Sequence, residues 1–222
     1  MIVPGRRGKN WCRRIAWGLV ILTAFALPAT AQDRLSGESL VESLRRGGYV
    51  IYFRHAATDW SQDDHLTAKG DWTSCDPGRM RQLSDQGRGQ ARRIGEAIRR
   101  LEIPVGRVLS SEYCRARQTA EVMDLGPVKP TIDIMNMRAA HFVGGREAVV
   151  ERARTQLGRP PDNGANTVIV GHGNLMRAAT GAYTGEAGAG VFEPLGDGDF
   201  QLVAQVGPDQ WTQLAEKFAR RD

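Results

Sequence analysis

Tyr49-Val50-Ile51-Tyr52-Phe53-Arg54-His55-Ala56-Ala57-Thr58-Asp59-Trp60 is the stretch on which the reading of this chain turns. Apolar and aromatic residues run from Tyr49 to Phe53 straight into Arg54-His55, and a small, polar segment follows. A short, unbroken run of this kind predicts a buried strand. Its C-terminal end presents a guanidinium and an imidazole. In open α/β sheets that edge is where ligands bind.

Two further stretches have the same build. Val108-Leu109-Ser110-Ser111 predicts a strand whose end leads shortly to Arg115. Thr167-Val168-Ile169-Val170 is an apolar, β-branched run that ends in Gly171-His172-Gly173. Helical patterns lie between them. Ser36 to Arg46 carries Leu40, Val41 and Leu44 on one stripe and stops at Gly47-Gly48. Ser84 caps a helix to about Leu101, with Ala91, Ile94, Ala97, Ile98 and Leu101 as its core stripe. Another begins near Tyr113 and carries Ala116, Ala120 and Met123. Arg146 to Leu157 and Leu175 to Ala182 read as two more. Pro130 to Met135 is a candidate strand, and Phe200 to Val206 a candidate antiparallel edge strand. Trp211 to Arg220 stays open between helix and strand. The polar stretch Thr58 to Leu83 has no clear period and reads as a long loop, often a functional feature. Strand–helix alternation predicts an α/β fold, layered about a mostly parallel central sheet with right-handed crossovers.

Parallel pairing brings the three C-terminal ends to one edge. Arg54, His55, Arg115 and His172 can then meet. Two guanidiniums and two imidazoles with few carboxylates form an anion site, because the planar arginine fork fits phosphate oxygens and keeps its charge. Gly171 and Gly173 allow close backbone approach at a helix N-terminus. Such a pocket suits a phosphoryl group, whose oxygens gain from fixed positive charge during transfer. His55, His172 and the Asp63-Asp64-His65 cluster could also be metal ligands, but two arginines beside a cation would repel it. No metal or cofactor is expected.

The 222 residues suit one sizeable core. Five of the 30 basic residues, and no acid, fall in the first 31 positions, which leaves 25 basic against 25 acidic residues in the rest. The folded part therefore has no formal net charge and gives no reason to expect nucleic-acid binding. The basic face of the Ser84–Leu101 helix reads as solvated. Residues 1–31 have the parts of a secretory signal: Arg13-Arg14, an apolar run from Ile15 to Leu27, and Ala29-Thr30-Ala31. Cleavage between Ala31 and Gln32 would leave a single domain, 32–222, periplasmic or secreted and without stable membrane insertion. An uncleaved N-terminal anchor is the alternative. Cys75 and Cys114 remain in the exported part. An even count in an oxidising compartment suggests a disulfide, with two free thiols as the alternative.

Phe53-Arg54-His55-Ala56-Ala57-Thr58-Asp59-Trp60, Leu109-Ser110-Ser111-Glu112-Tyr113-Cys114-Arg115-Ala116-Arg117-Gln118-Thr119-Ala120-Glu121 and Val170-Gly171-His172-Gly173 together resemble the three signatures of the histidine phosphatase superfamily, also called phosphoglycerate mutase-like. The resemblance spans about Tyr49 to Gly173. It implies a three-layer α/β/α sandwich. It also implies that His55 is phosphorylated, that Arg54 and Arg115 grip the phosphate, that His172 completes the pocket and that Thr58 lies near the phosphate. The nucleophilic imidazole must be neutral, so its other nitrogen should donate to a carbonyl. Cys75 and Cys114, if bridged, would pin the long loop beside the pocket.

The departures carry information. Ala56 replaces a frequent glycine, and Ser61 a frequent asparagine. The mutase and broad phosphatase branches place a glutamate acid after the third strand, whereas Ile134-Met135-Asn136-Met137-Arg138 has no carboxylate. Asp59 and Asp63 are the favoured proton donors, ahead of Asp64, His65, Glu112 and His141. The expected activity is hydrolysis of a phosphomonoester on a small phosphorylated substrate or a phosphorylated envelope sugar. The alternative is a non-catalytic phosphate- or phosphosugar-binding protein on the same scaffold.

Overall fold

A computed structural model describes Met1 and residues 34–220. The leader and its expected cleavage point lie outside the described residues. Among the described residues no helix is long and apolar enough to cross a membrane.

The chain runs α1 (Gly37–Arg46), β1 (Val50–Arg54), α2 (Asp85–Arg100), β2 (Val105–Ser111), α3 (Cys114–Met123), β3 (Val128–Thr131), α4 (Arg146–Gly158), β4 (Asn166–Gly171), α5 (Gly173–Thr180), β5 (Ala189–Gly196), β6 (Asp199–Val206) and α6 (Pro208–Phe218). The strands form one sheet in the order β3-β2-β4-β1-β5-β6. The first four are parallel, and β5 and β6 add an antiparallel edge. This is an α/β sandwich about a mostly parallel central sheet.

Side-chain alternation along β1 sorts the helices into layers. Phe53 packs on Trp211 of α6, with ring centroids 5.7 Å apart. Its neighbour Tyr52 points the other way, and its hydroxyl accepts from the His172 backbone N–H at the start of α5, 3.0 Å away. Helices α1, α2, α3 and α6 pack together on the Trp211 side, and α4 packs with α5 on the other. The central strands β1 and β4 are buried on both faces, as their continuous apolar runs require.

Local chemistry sets the boundaries. The Ser84 hydroxyl accepts from the Gly87 N–H at 3.1 Å and starts α2. Pro208 in the first turn of α6 settles the open C-terminal segment as helix. The strand expected over Pro130–Met135 ends instead at Thr131. There the Thr131 hydroxyl accepts from the Asp133 N–H, and Ile132–Ile134 coil into a 3-10 turn. Strand β5 has no counterpart in the sequence reading. Its Ala189-Gly190 start, directly after Gly188, has poor strand propensity. Pairing supplies what propensity lacks, because Phe53 and Tyr52 of β1 lie opposite Ala189 and Gly190.

The long loop between β1 and α2 is folded back on itself. Thr58 bridges Leu83, Asp59 N–H donates to the Gln82 carbonyl, and His65 N–H donates to the Arg79 carbonyl. Its only regular piece among the described residues is a 3-10 turn at Asp71–Thr73.

Candidate functional site

Parallel register delivers the strand ends together. Arg54 lies opposite Gly171 and Ser110 opposite Val170, so β1, β2 and β4 finish at one edge. His55 is the first residue past β1, and its N–H donates to the Gly171 carbonyl at 2.9 Å. The His55 and His172 rings are 5.4 Å apart between centroids. A cavity of about 260 Å³ opens on them, lined also by Arg54, Trp60, Asp63, Asp64, Arg81, Asn136, Arg138 and Tyr183.

The tautomers follow from the partners. His55 Nδ1 lies 3.0 Å from the Ala56 carbonyl oxygen, which only accepts. Nδ1 therefore carries the proton and Nε2 carries the lone pair. Burial first, and then the Arg115 charge, hold this imidazole well below its ordinary value. His172 is assigned by a chain of amides. Asn136 Oδ1 accepts from the Arg138 N–H and the Asn174 side chain, which turns Asn136 Nδ2 toward His172 Nδ1 at 3.1 Å. His172 Nε2–H then donates to Ser111 Oγ at 2.9 Å. Burial, followed by Arg115, also keeps His172 neutral.

The glycines flanking His172 are placed by close contact. A Cβ on Gly171 would collide with the Tyr52 hydroxyl, and one on Gly173 would stand 2.8 Å from the Tyr183 ring and 3.0 Å from Arg54 Cδ. Arg54 lies over that gap. It donates to the Tyr183 hydroxyl at 2.7 Å and sits 3.6 Å from Glu186. Thr58 donates to the same carboxylate at 2.8 Å, so its hydroxyl holds Glu186 rather than opening onto the cavity. Ala56 is buried, and its N–H donates to Thr119 of α3.

Arg115 departs from expectation. It is fully buried and does not line the cavity. Its Nη1 and Nη2 reach Asp64 Oδ1 and Oδ2 at 2.8 and 2.9 Å, a bidentate pair whose side chains are 1% and 2% exposed. Asp64 Oδ1 also accepts from the Arg81 N–H. Arg81 stacks on Trp60, 3.8 Å from the ring centroid. Helix α3 and the long loop are further joined by a Cys75–Cys114 disulfide, next to Arg115 in sequence.

The proton-donor candidates separate. Asp59, expected as a proton donor, instead caps its own loop, accepting from Ser61 N–H, Ser61 Oγ and Gln62, and those bonds hold its carboxyl below the usual range. It does not line the cavity. Glu112 accepts from the Trp72 indole, His141 stacks on Phe142, and His65 is exposed outside the cavity lining. Asp63 lines the cavity and, among the described residues, makes no ion pair.

The sequence reading passed over Arg81, Asn136, Arg138, Asn174, Tyr183 and Glu186. Asn136 and Arg138 lay inside the segment searched for a carboxylate, so an amide and a cation were read as a gap. The other four carry no local signal. Among the described residues, no three His, Cys, Asp or Glu side chains are grouped to hold a metal ion. A larger groove of about 490 Å³ runs along α4, but it contains neither histidine.

The family model described as the histidine phosphatase superfamily, branch 1, matches residues 50–152. Several solved structures are similar to the chain. The protein histidine phosphatase SixA, complexed with tungstate, is 18% identical with a TM-score of 0.50, over 73% of this chain and 98% of that one. The product of a Mycobacterium tuberculosis open reading frame is 18% identical, with a TM-score of 0.49 over 72% of this chain and 97% of that one. A Thermus thermophilus protein is 20% identical, with a TM-score of 0.47 over 72% and 99%. No curated protein sequence matches. The matched span carries Arg54, His55 and Arg115, and over it the chain is similar to the histidine phosphatase superfamily.

Proposed function

We propose that this protein hydrolyses a phosphomonoester through a phosphohistidine on His55. One observation carries the reading: His55 Nδ1 donates to the Ala56 carbonyl, which leaves a neutral ring with its Nε2 lone pair at a cavity edged by Arg54, Arg81 and His172. Nε2 attacks phosphorus, and the bond to the leaving oxygen breaks with its electron pair. Arg54 balances the charge on the phosphoryl oxygens from the cavity wall, Arg115 adds its charge from behind Asp64, and His172 completes the pocket. Asp63, the lining carboxylate that makes no ion pair among the described residues, protonates the leaving alkoxide, a contribution of roughly 10²–10⁴-fold. Water then attacks the phosphohistidine, and the electron pair of the P–N bond returns to Nε2. The released phosphate keeps one water proton, and the other passes to Asp63, which restores the acid.

We infer that residues 1–31 direct the domain 32–222 to the periplasm or outside the cell, or else anchor it to the membrane. The substrate is then a small phosphorylated molecule or a phosphorylated envelope sugar. The test is a denaturing quench at alkaline pH after exposure to p-nitrophenyl phosphate labelled in its phosphoryl group. The wild-type chain should retain an acid-labile phosphate, and His55→Ala should retain none. Equal turnover by His55→Ala would refute the mechanism. Tight phosphate binding with no turnover across a phosphoester panel would instead mark a non-catalytic binding protein.

A further inference from the structure

Arg115 exerts the largest charge effect on both histidines, after burial. Its end-on fork, however, is filled by a carboxylate of the same chain. Asp64 lines the cavity, and Arg115 lies behind it. A carboxylate in a guanidinium fork presents two oxygens with the spacing and charge that a phosphoryl group presents. We propose that Asp64 is a resident competitor for the phosphoryl group. On this view it holds the Arg115 fork until a substrate phosphate displaces it, and so sets how weakly the pocket retains phosphate. The proposal rests on the reading of this cavity as a phosphoryl site.

Three features of the pocket support an exchange rather than a fixed tie. First, the two anions cannot share the fork, because like charges at that separation repel strongly in a buried setting. Second, Asp64 has somewhere to go. The Arg81 backbone N–H already touches Asp64 Oδ1, yet the Arg81 guanidinium forms no ion pair among the described residues, and its Nε is buried without a partner. Arg138 lines the same cavity, exposed and with no ion pair among the described residues. A displaced carboxylate can therefore pass from one arginine to the next without meeting the cavity unpaired. Third, the loop that carries Asp64 is held on either side. Asp59 and Thr58 pair with Gln82 and Leu83, and the Cys75–Cys114 bond fixes the far part of the loop to α3. The exchange then needs only the side chain and its immediate backbone to move.

The product follows the same rule. Inorganic phosphate leaves when Asp64 returns to Arg115. The carboxylate thus lowers product affinity at the expense of substrate affinity, which benefits turnover whenever release limits the rate.

Calorimetric titration of the full chain with inorganic phosphate tests this. Asp64→Asn keeps an acceptor for the Arg81 N–H while removing the charge. It should bind phosphate about tenfold tighter or more, the equivalent of one charge-assisted hydrogen bond. KM for p-nitrophenyl phosphate should fall with it, and kcat should not rise. In an Arg115→Ala background the gain from Asp64→Asn should vanish, because no fork remains to contest. Thermal unfolding of each variant, with and without phosphate, separates altered binding from lost structure. Unchanged or weaker phosphate binding by Asp64→Asn would overturn the proposal, as would an equal gain without Arg115. If binding tightens but His55 never labels, the phosphatase reading falls and the exchange stands. If His55 labels and binding does not tighten, the exchange alone falls.

Discussion

The cavity has two walls of different construction. One is the sheet edge, where backbone pairing within β1 and β4 sets His55 and His172 to their register. The other is the loop between β1 and α2, held by side-chain ties: the Asp64–Arg115 pair, the stack of Arg81 on Trp60, and the Cys75–Cys114 bond. A ladder of backbone bonds has one low-energy register, so it suits a nucleophile that must not move. Side-chain ion pairs have alternative partners, so they suit a wall whose charge must change hands. On the proposed mechanism, the first wall would supply reactivity and the second affinity.

Removing the nucleophile breaks the comparison most severely. His55→Ala should lower turnover of p-nitrophenyl phosphate by roughly 10³-fold or more, with thermal unfolding little changed; a steady-state assay beside a melting curve checks both. Next comes the charged tie of the loop wall. Arg115→Ala removes a fully buried side chain together with its bidentate pair to Asp64, and unfolding free energy should fall by about 3–5 kcal/mol, read from urea midpoints. A loss confined to activity would mean that Asp64 reaches water freely.

The covalent tie is expected to matter somewhat less. Replacing both Cys75 and Cys114 with serine opens a link across 39 residues. Unfolding free energy should drop by about 2–4 kcal/mol, while the phosphohistidine still forms on quenching. Loss of labelling at full stability would place the disulfide in the reactive wall, contrary to the division drawn above.

The smallest effect is one of pH. Both histidines are held neutral below their ordinary value near 6.5. The unfolded chain takes up protons there that the folded chain refuses. Stability is therefore full above pH 6.5. As pH falls toward the depressed folded values, each of the two sites should remove about 1.4 kcal/mol per pH unit. Urea midpoints from pH 7.5 to 5.5 record the slope. A flat line would show that the imidazoles charge as readily in the fold as outside it.

The same division explains what could be read in advance. Arg54, His55 and His172 end apolar runs that declare themselves as strands, so their convergence follows once the strands are parallel. Arg115 was recognisable too, because its motif follows a strand directly. Its burial behind Asp64 was not, since that depends on a loop without periodicity crossing to α3. Glu186 and Tyr183 were invisible for a related reason. They precede β5, whose glycines and alanines look like loop until β1 pairs with them. Asp59 and Asp63 stood together as candidates by nearness of their loop to His55. The backbone spends Asp59 on its own turn instead.

By itself, the sequence determined the α/β layering, the three strands and the residues at their ends. Period and burial are properties of short segments, and short segments carry them in plain view. Only the tertiary structure decided which nitrogen of His55 holds the lone pair, which carboxylate pairs with Arg115 and which stays unpaired at the cavity. Those are questions of distance between groups that no local pattern relates. An ion pair or a hydrogen bond goes to whichever partner the fold brings within about 3 Å.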